Sequence, residues 1–204
     1  MSEARAVKPR WTTLFAGGVV ALALLGVAAA GPLEDGRAAY RRGDDATAMR
    51  LLLPLAEAGD AGAQTDLGWM YATGRGAPQD YAQAVAWRRR AADQGNAAAE
   101  FSLGIMRQQG QGAPQDFAEA ARWIRKAAEQ GHAGAQLSLG LIYREGRGAP
   151  QDYAQAYMWF SLASLASDAD IRIRGSENRD ALAARMTPAE IAEAQRMARE
   201  WKPK

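Results

Sequence analysis

A block of 36 residues occurs three times in succession in this 204-residue chain, starting at Gly59, Gly95 and Gly131. Self-similarity at a fixed period marks a repeat array, in which each unit leaves an apolar face that only its neighbours can bury. The aligned lines are LGWMYATGRGAPQDYAQAVAWRRRAADQ from Leu67, LGIMRQQGQGAPQDFAEAARWIRKAAEQ from Leu103 and LGLIYREGRGAPQDYAQAYMWF from Leu139. Each reads as a helix A, a glycine-rich loop and a helix B. In the first unit, helix A is predicted over Ala61 to Thr73. At about 100° per residue, Ala63, Leu67, Met70, Tyr71 and Gly74 then share its core side. Gly68, Gly104 and Gly140 each cost roughly 1 kcal/mol of helix propensity. Their return at one place in every unit predicts a neighbouring helix that crosses too closely for a side chain.

The loops GRGAPQD at Gly74–Asp80, GQGAPQD at Gly110–Asp116 and GRGAPQD at Gly146–Asp152 end helix A with glycine and bar its continuation with proline. Asp80, Asp116 and Asp152 each precede an aromatic residue at the start of helix B, where a carboxylate can accept from unpaired backbone amides. An acid in a glycine-rich loop also suits a metal or phosphate. One copy per unit favours capping. In helix B, Tyr81, Ala84, Trp87 and Ala91, and likewise Phe117, Ala120, Trp123 and Ala127, advance as a buried stripe.

The two ends differ from the array. Arg5, Lys8 and Arg10 precede the apolar run WTTLFAGGVVALALLGV, which closes on Ala28, Ala29 and Ala30. This is the layout of a secretory signal cleaved after Ala30. The alternative is an uncleaved anchor, since Trp11 to Ala30 supplies about 20 mostly apolar residues. Residues 1–30 hold three of the 25 Lys and Arg and one of the 23 Asp and Glu, so 22 of each remain beyond them. Those charges alternate in sign and form no basic stripe, which argues against nucleic acid. The chain has no Cys, so disulfides, thiolate metal sites, a Cys nucleophile and a lipidated cysteine are excluded.

Taken together, the ordered Gly, Tyr, Asp and Trp of residues 59–164 resemble the Sel-one-like repeat, a relative of the tetratricopeptide repeat with the pattern A-x3-LG-x2-Y-x2-G-x-G-x3-D-x3-A-x2-W-x3-AA-x2-G. Arg107, Gln111 and Ser164 depart from it at a tyrosine, an arginine and an alanine position. The resemblance implies an all-α chain: an α/α superhelical solenoid that displays a groove to partner proteins as a scaffold or adaptor. Residues 31–58 resemble the divergent lead-in unit of exported members, with Asp44 or Asp45 capping a helix that carries Leu51, Leu52 and Leu55. Pro54 is predicted to kink that helix. Residues 165–204 resemble the family's capping helices, with a capping box at Thr187, Pro188 and Glu190.

If helix A lines the inner surface, the candidate partner-binding positions are Thr65, Trp69 and Thr73 in the first unit, Phe101, Ile105, Gln108 and Gln109 in the second, and Leu137, Leu141, Arg144 and Glu145 in the third. The large apolar members among them either form a strip that suits a peptide or helix of another protein, or fill space between successive A helices. No enzyme is read from this chain, and no cofactor or metal is expected. His132 is the sole histidine, and its counterparts Asp60 and Asn96 make it a polar residue at a helix start in place of a catalytic base. The sequence therefore reads as an exported, periplasmic protein-binding scaffold, or as an inner-membrane-anchored regulator of an envelope complex whose repeats face the periplasm, with a cell-wall-active hydrolase as the remoter alternative. Membrane contact is expected only through an uncleaved residue 11–30 segment.

Overall fold

The computed structural model describes residues 31–204, and these form ten helices and no strand. The expected signal or anchor at residues 1–30 lies outside the described residues. Two helices, α1 (Pro32–Arg41) and α2 (Asp45–Glu57), precede three hairpins: α3 (Ala61–Thr73) with α4 (Tyr81–Asp93), α5 (Ala97–Gln109) with α6 (Phe117–Glu129), and α7 (Ala133–Glu145) with α8 (Tyr153–Ala163). The chain ends with α9 (Ala169–Ala183) and α10 (Pro188–Glu200). From α1 to α9 each helix packs on the next, and α10 folds back on α8. No described helix is long and apolar enough to cross a membrane.

Side-chain caps set the period. Asp60, Asn96, His132 and Asp168 cap the A-type helices α3, α5, α7 and α9, each accepting from an amide three residues on. Asp44, Asp80, Asp116 and Asp152 do the same for the B-type helices α2, α4, α6 and α8. Thr187 and Glu190 form the capping box of α10. Each of α3, α5 and α7 stops at a left-handed glycine, with φ between 69° and 70° at Gly74, Gly110 and Gly146, a conformation that disfavours other residues. Of the predicted core side of α3, Ala63, Leu67 and Met70 are buried, Tyr71 is half-buried and packs against them, and Gly74 is exposed at the stop. Pro54 faces solvent, and α2 continues past it to Glu57.

Within each hairpin the helices cross at the recurring glycine. A Cβ on Gly68, Gly104 or Gly140 would lie 2.5 Å from Arg88 Cγ, 2.6 Å from Ile124 Cγ1 and 2.5 Å from Phe160 Cε1 respectively. Gly36 meets Leu52 in the same way at 2.8 Å, which makes α1 and α2 a hairpin of the same kind with a shorter loop. Between hairpins, the second loop glycine lies against the first turn of the preceding B-type helix. There a Cβ on Gly76 would come within 2.8 Å of Asp45 O, one on Gly112 within 2.5 Å of Tyr81 O, and one on Gly148 would clash with Phe117 O.

The loop glutamine is a further strut that the sequence pattern does not explain by itself. Gln79, Gln115 and Gln151 each donate through Nε2 to a carbonyl near the end of helix A, at Ala72, Gln108 and Arg144, with distances of 2.6–2.8 Å. Arg107, standing where Tyr71 and Tyr143 stand in the other units, pairs with Glu119 of its own hairpin. The departure from the pattern is thus compensated locally, and Arg107 holds the Glu119 carboxyl below its ordinary value.

Candidate functional site

Three cavities follow one another along the A-type helices. The first, about 240 Å³, lies between α1 and α3 over Tyr40, Leu52 and Trp69. The second, about 300 Å³, lies between α3 and α5 and is lined by Trp69, Thr73, Arg88, Phe101, Ile105 and Gln109 among others. The third, about 490 Å³, lies between α5 and α7 and includes Ile105, Gln108, Gln109, Leu141 and Glu145. Trp69 belongs to the first two cavities and Ile105 to the last two, so the three form one trough. Its lining is mainly apolar in the first two cavities and mixed in the third. Its rim carries amides and charges.

Eight of the eleven positions proposed from sequence line this trough: Trp69, Thr73, Phe101, Ile105, Gln108, Gln109, Leu141 and Glu145. The other three do not. Leu137 is a core residue, only 4% exposed and packed within the carboxy-terminal cluster. Its unit is followed by α9, whose cap Asp168 stands one period after His132, so a further A-type helix covers the third unit as α7 covers the second. Thr65 is half-buried and donates its hydroxyl to Ala61 O at 2.7 Å, which leaves it committed to its own helix. Arg144 turns away to Asn178 of α9 and to Glu145, 3.0 Å away.

Trp69 is the largest apolar surface in the trough at 52% exposure, and its orientation is fixed by donation from Nε1 to Tyr40 Oη at 2.7 Å. Tyr40 is held in turn beneath Arg75, whose guanidinium carbon lies 3.6 Å from the ring centroid. Arg75 also reaches back to Asp45 and to Tyr40 O. An indole so supported presents a rigid face at little entropic cost. On the wall nearby, Arg37 pairs with Asp66 at 2.7 Å. Burial is the main cause that raises the Asp66 carboxyl above its ordinary value, and Arg37 works against it.

Phe101 is half-buried and tilts against His132, their ring centroids 4.8 Å apart. His132 Nδ1 accepts from Ala135 N at 3.1 Å, and burial lowers its pKa. A neutral capping imidazole accounts for both facts. Tyr40, Arg88, Tyr81, Phe117 and Arg147 also line the trough without having been singled out from sequence. Tyr81 and Phe117 belong to the predicted buried helix B stripe, but each is only half-buried and lines a cavity, with Arg147 of the next loop over the Phe117 ring. Only the packing between units reveals this.

The Sel1 repeat model matches residues 61–96, 97–132 and 133–168, one match for each of the three hairpins. Comparison with curated proteins gave no match. Among solved structures, the chain is similar to a protective antigen present in uropathogenic Escherichia coli strains, described as displaying an SLR fold. The TM-score is 0.70 and the identity 35%, over 83% of this chain and 40% of that one. It is also similar to a Sel1 repeat protein from Oxalobacter formigenes, with a TM-score of 0.65 and 29% identity over 81% of this chain and 74% of that one. The chain thus spans about two fifths of the antigen's length. With three consecutive repeat matches in register with its helical hairpins, the chain belongs to the Sel1 repeat family.

Proposed function

We propose that this chain is a non-enzymatic scaffold or adaptor of the bacterial cell envelope, which holds a segment of a partner protein in the trough along its A-type helices. Sel1 repeats are protein-interaction modules, and the observation that carries the reading here is continuity. Trp69 and Ile105 each join two adjacent cavities, so a surface with apolar side chains among polar ones runs across four hairpins. Such a surface suits an extended peptide or an amphipathic helix.

Export rests on the charged head, apolar stretch and alanine-rich end of residues 1–30. The anchored alternative rests on the length of the same stretch. Amino-terminal sequencing of native protein separates them, through a new terminus at Gly31 or an intact residue 1–30 segment.

Affinity capture from the envelope fraction tests the binding face. Trp69→Asp and Ile105→Asp are expected to lose the captured partner while retaining the wild-type helical circular dichroism, because Trp69 is half exposed and Ile105 is only partly buried where it lines the trough. Undiminished capture by both folded variants would remove the trough as the binding surface. Leu137→Asp serves as the contrast, since a carboxylate in that core position unfolds the protein.

A further inference from the structure

The B-type helices place Leu52, Arg88, Ile124 and Phe160 at one repeating position, opposite the glycine of the A-type partner. Three of these are apolar. Arg88 is the exception, and it is only 4% exposed. It forms no ion pair among the described residues: Nη1 donates to Met106 Sδ at 2.9 Å and the buried Nε has no acceptor. Burial lowers its pKa and no neighbouring charge opposes that effect. A buried cation without a counter-charge destabilises a fold, and the neighbouring hairpins show that an apolar side chain would serve the crossing. Its stem passes over Gly68, and its head lines the α3–α5 cavity, 5.7 Å from the Trp69 ring centroid.

We propose, building on the trough reading above, that this cavity is a carboxylate-accepting subsite: Arg88 receives a Glu or Asp side chain of the bound segment, while that segment's apolar neighbours rest on Trp69, Phe101 and Ile105. Nε stays packed over Gly68 and Nη1 is taken by Met106, so Nη2, which makes no hydrogen bond among the described residues, is the charge-assisted donor left to a carboxylate in this largely apolar pocket. Gln109 and Gln111 line the same cavity and offer amide donors nearer its mouth. A side chain is the source, not a chain terminus, because the cavity is the middle one of three and a segment ending there would leave half the trough unfilled.

Nuclear magnetic resonance of the 15N-labelled full chain tests the assignment through the Arg88 Nε–Hε and Trp69 indole signals. The probes are acetyl-Ala-Leu-Glu-Leu-Ala-amide, its Gln counterpart, and the Gln peptide with a free carboxy terminus. The Glu peptide is expected to move both signals and to bind at least about ten-fold more tightly than the Gln amide, a preference that vanishes in Arg88→Met. Arg88→Met should melt above the wild type, since it resembles the Ile124 hairpin. Arg88→Lys, which keeps the charge but not the forked donor, should fall between the two in preference.

Equal binding of the Glu and Gln amides with the Trp69 signal moving, or a preference that survives in Arg88→Met, overturns the carboxylate subsite and leaves the trough reading standing. Tightest binding by the free-terminus peptide overturns the choice of a side chain. No movement of the Trp69 signal with any peptide overturns both the subsite and the trough.

Discussion

At the scale of single residues, two titratable groups, Glu100 buried and His132 half-buried, stand at repeat positions with opposite pH signatures. Glu100 occupies the place held by Gln64 and Gln136, which donate to Ala56 O and Ala128 O of the preceding hairpin at 3.0 and 3.5 Å. A carboxylate cannot make that donation; Glu100 accepts from Gln130 at 2.7 Å, and burial raises its pKa above the ordinary 4.5. Its contribution is therefore complete below pH 4.5 and declines as pH rises through the raised value. Glu100→Gln should remove that decline and stabilise the protein at neutral pH by about 1 kcal/mol, the worth of one added hydrogen bond. His132 has the reverse sign: its folded pKa is depressed, so its contribution is intact above pH 6.5 and is lost as pH falls through the lowered value. His132→Asn, which copies the Asn96 cap, should flatten stability on the acid side. Urea midpoints measured from roughly pH 4 to 8 for the two variants check both signs. Capping and crossing residues of this kind were legible in the sequence, because a costly glycine or a short polar side chain repeats only where backbone geometry demands it. Groove and core were not. Thr65, Phe101 and Leu137 hold one repeat position, yet one is tied to its own helix, one lines the trough and one is buried, according to what the next hairpin places over each.

At the scale of elements, the hairpin is held by a glycine crossing, an aspartate cap and a glutamine strut. Gly104→Ala should gain up to roughly 1 kcal/mol of helix propensity. It must also fit a Cβ 2.6 Å from Ile124 Cγ1 and 3.1 Å from Ala120 O. Overpacking costs typically about 1–3 kcal/mol, and the backbone oxygen cannot yield, so net destabilisation is predicted. Pairing it with Ile124→Val should not restore full stability, because valine keeps both γ carbons and the Ala120 contact also remains. Asp116→Ala should cost about 1 kcal/mol, with Glu119 N left unpaired at the start of α6. Denaturation midpoints of the three variants decide these points. The hairpin was readable residue by residue from sequence, and so was the position of its stop. That α9 begins in register with the A helices was not legible, because only Asp168 and Ala169 keep the pattern, Ser176 stands at the motif glycine with Gly175 meeting α8 one residue early, and the tyrosine and loop are gone.

At the scale of the whole molecule, stacking makes each hairpin replaceable. Every A-type helix meets the preceding B-type helix through equivalent positions, so deleting residues 97–132 should leave a folded, shortened array with a cooperative melt. Deleting 97–114, half a unit, should abolish folding, because α6 would then lack its partner. Circular dichroism melts of the two deletions check this directly. Function is also a property of this scale, since no single hairpin contains the trough. Its lining is shared by α1, α3, α5 and α7, and at the far side of α7 Arg144 is taken up by Asn178 of α9. The central claim, that a partner lies along this trough, is tested most directly by a photoreactive benzoylphenylalanine placed at Trp69 or Ile105 and, for contrast, at the exposed Ala82 and Ala118 on the B-type helices. The account predicts crosslinks to one discrete partner segment from Trp69 and Ile105 and none from Ala82 or Ala118. Crosslinks from Ala82 and Ala118 alone, on a folded protein, would contradict it.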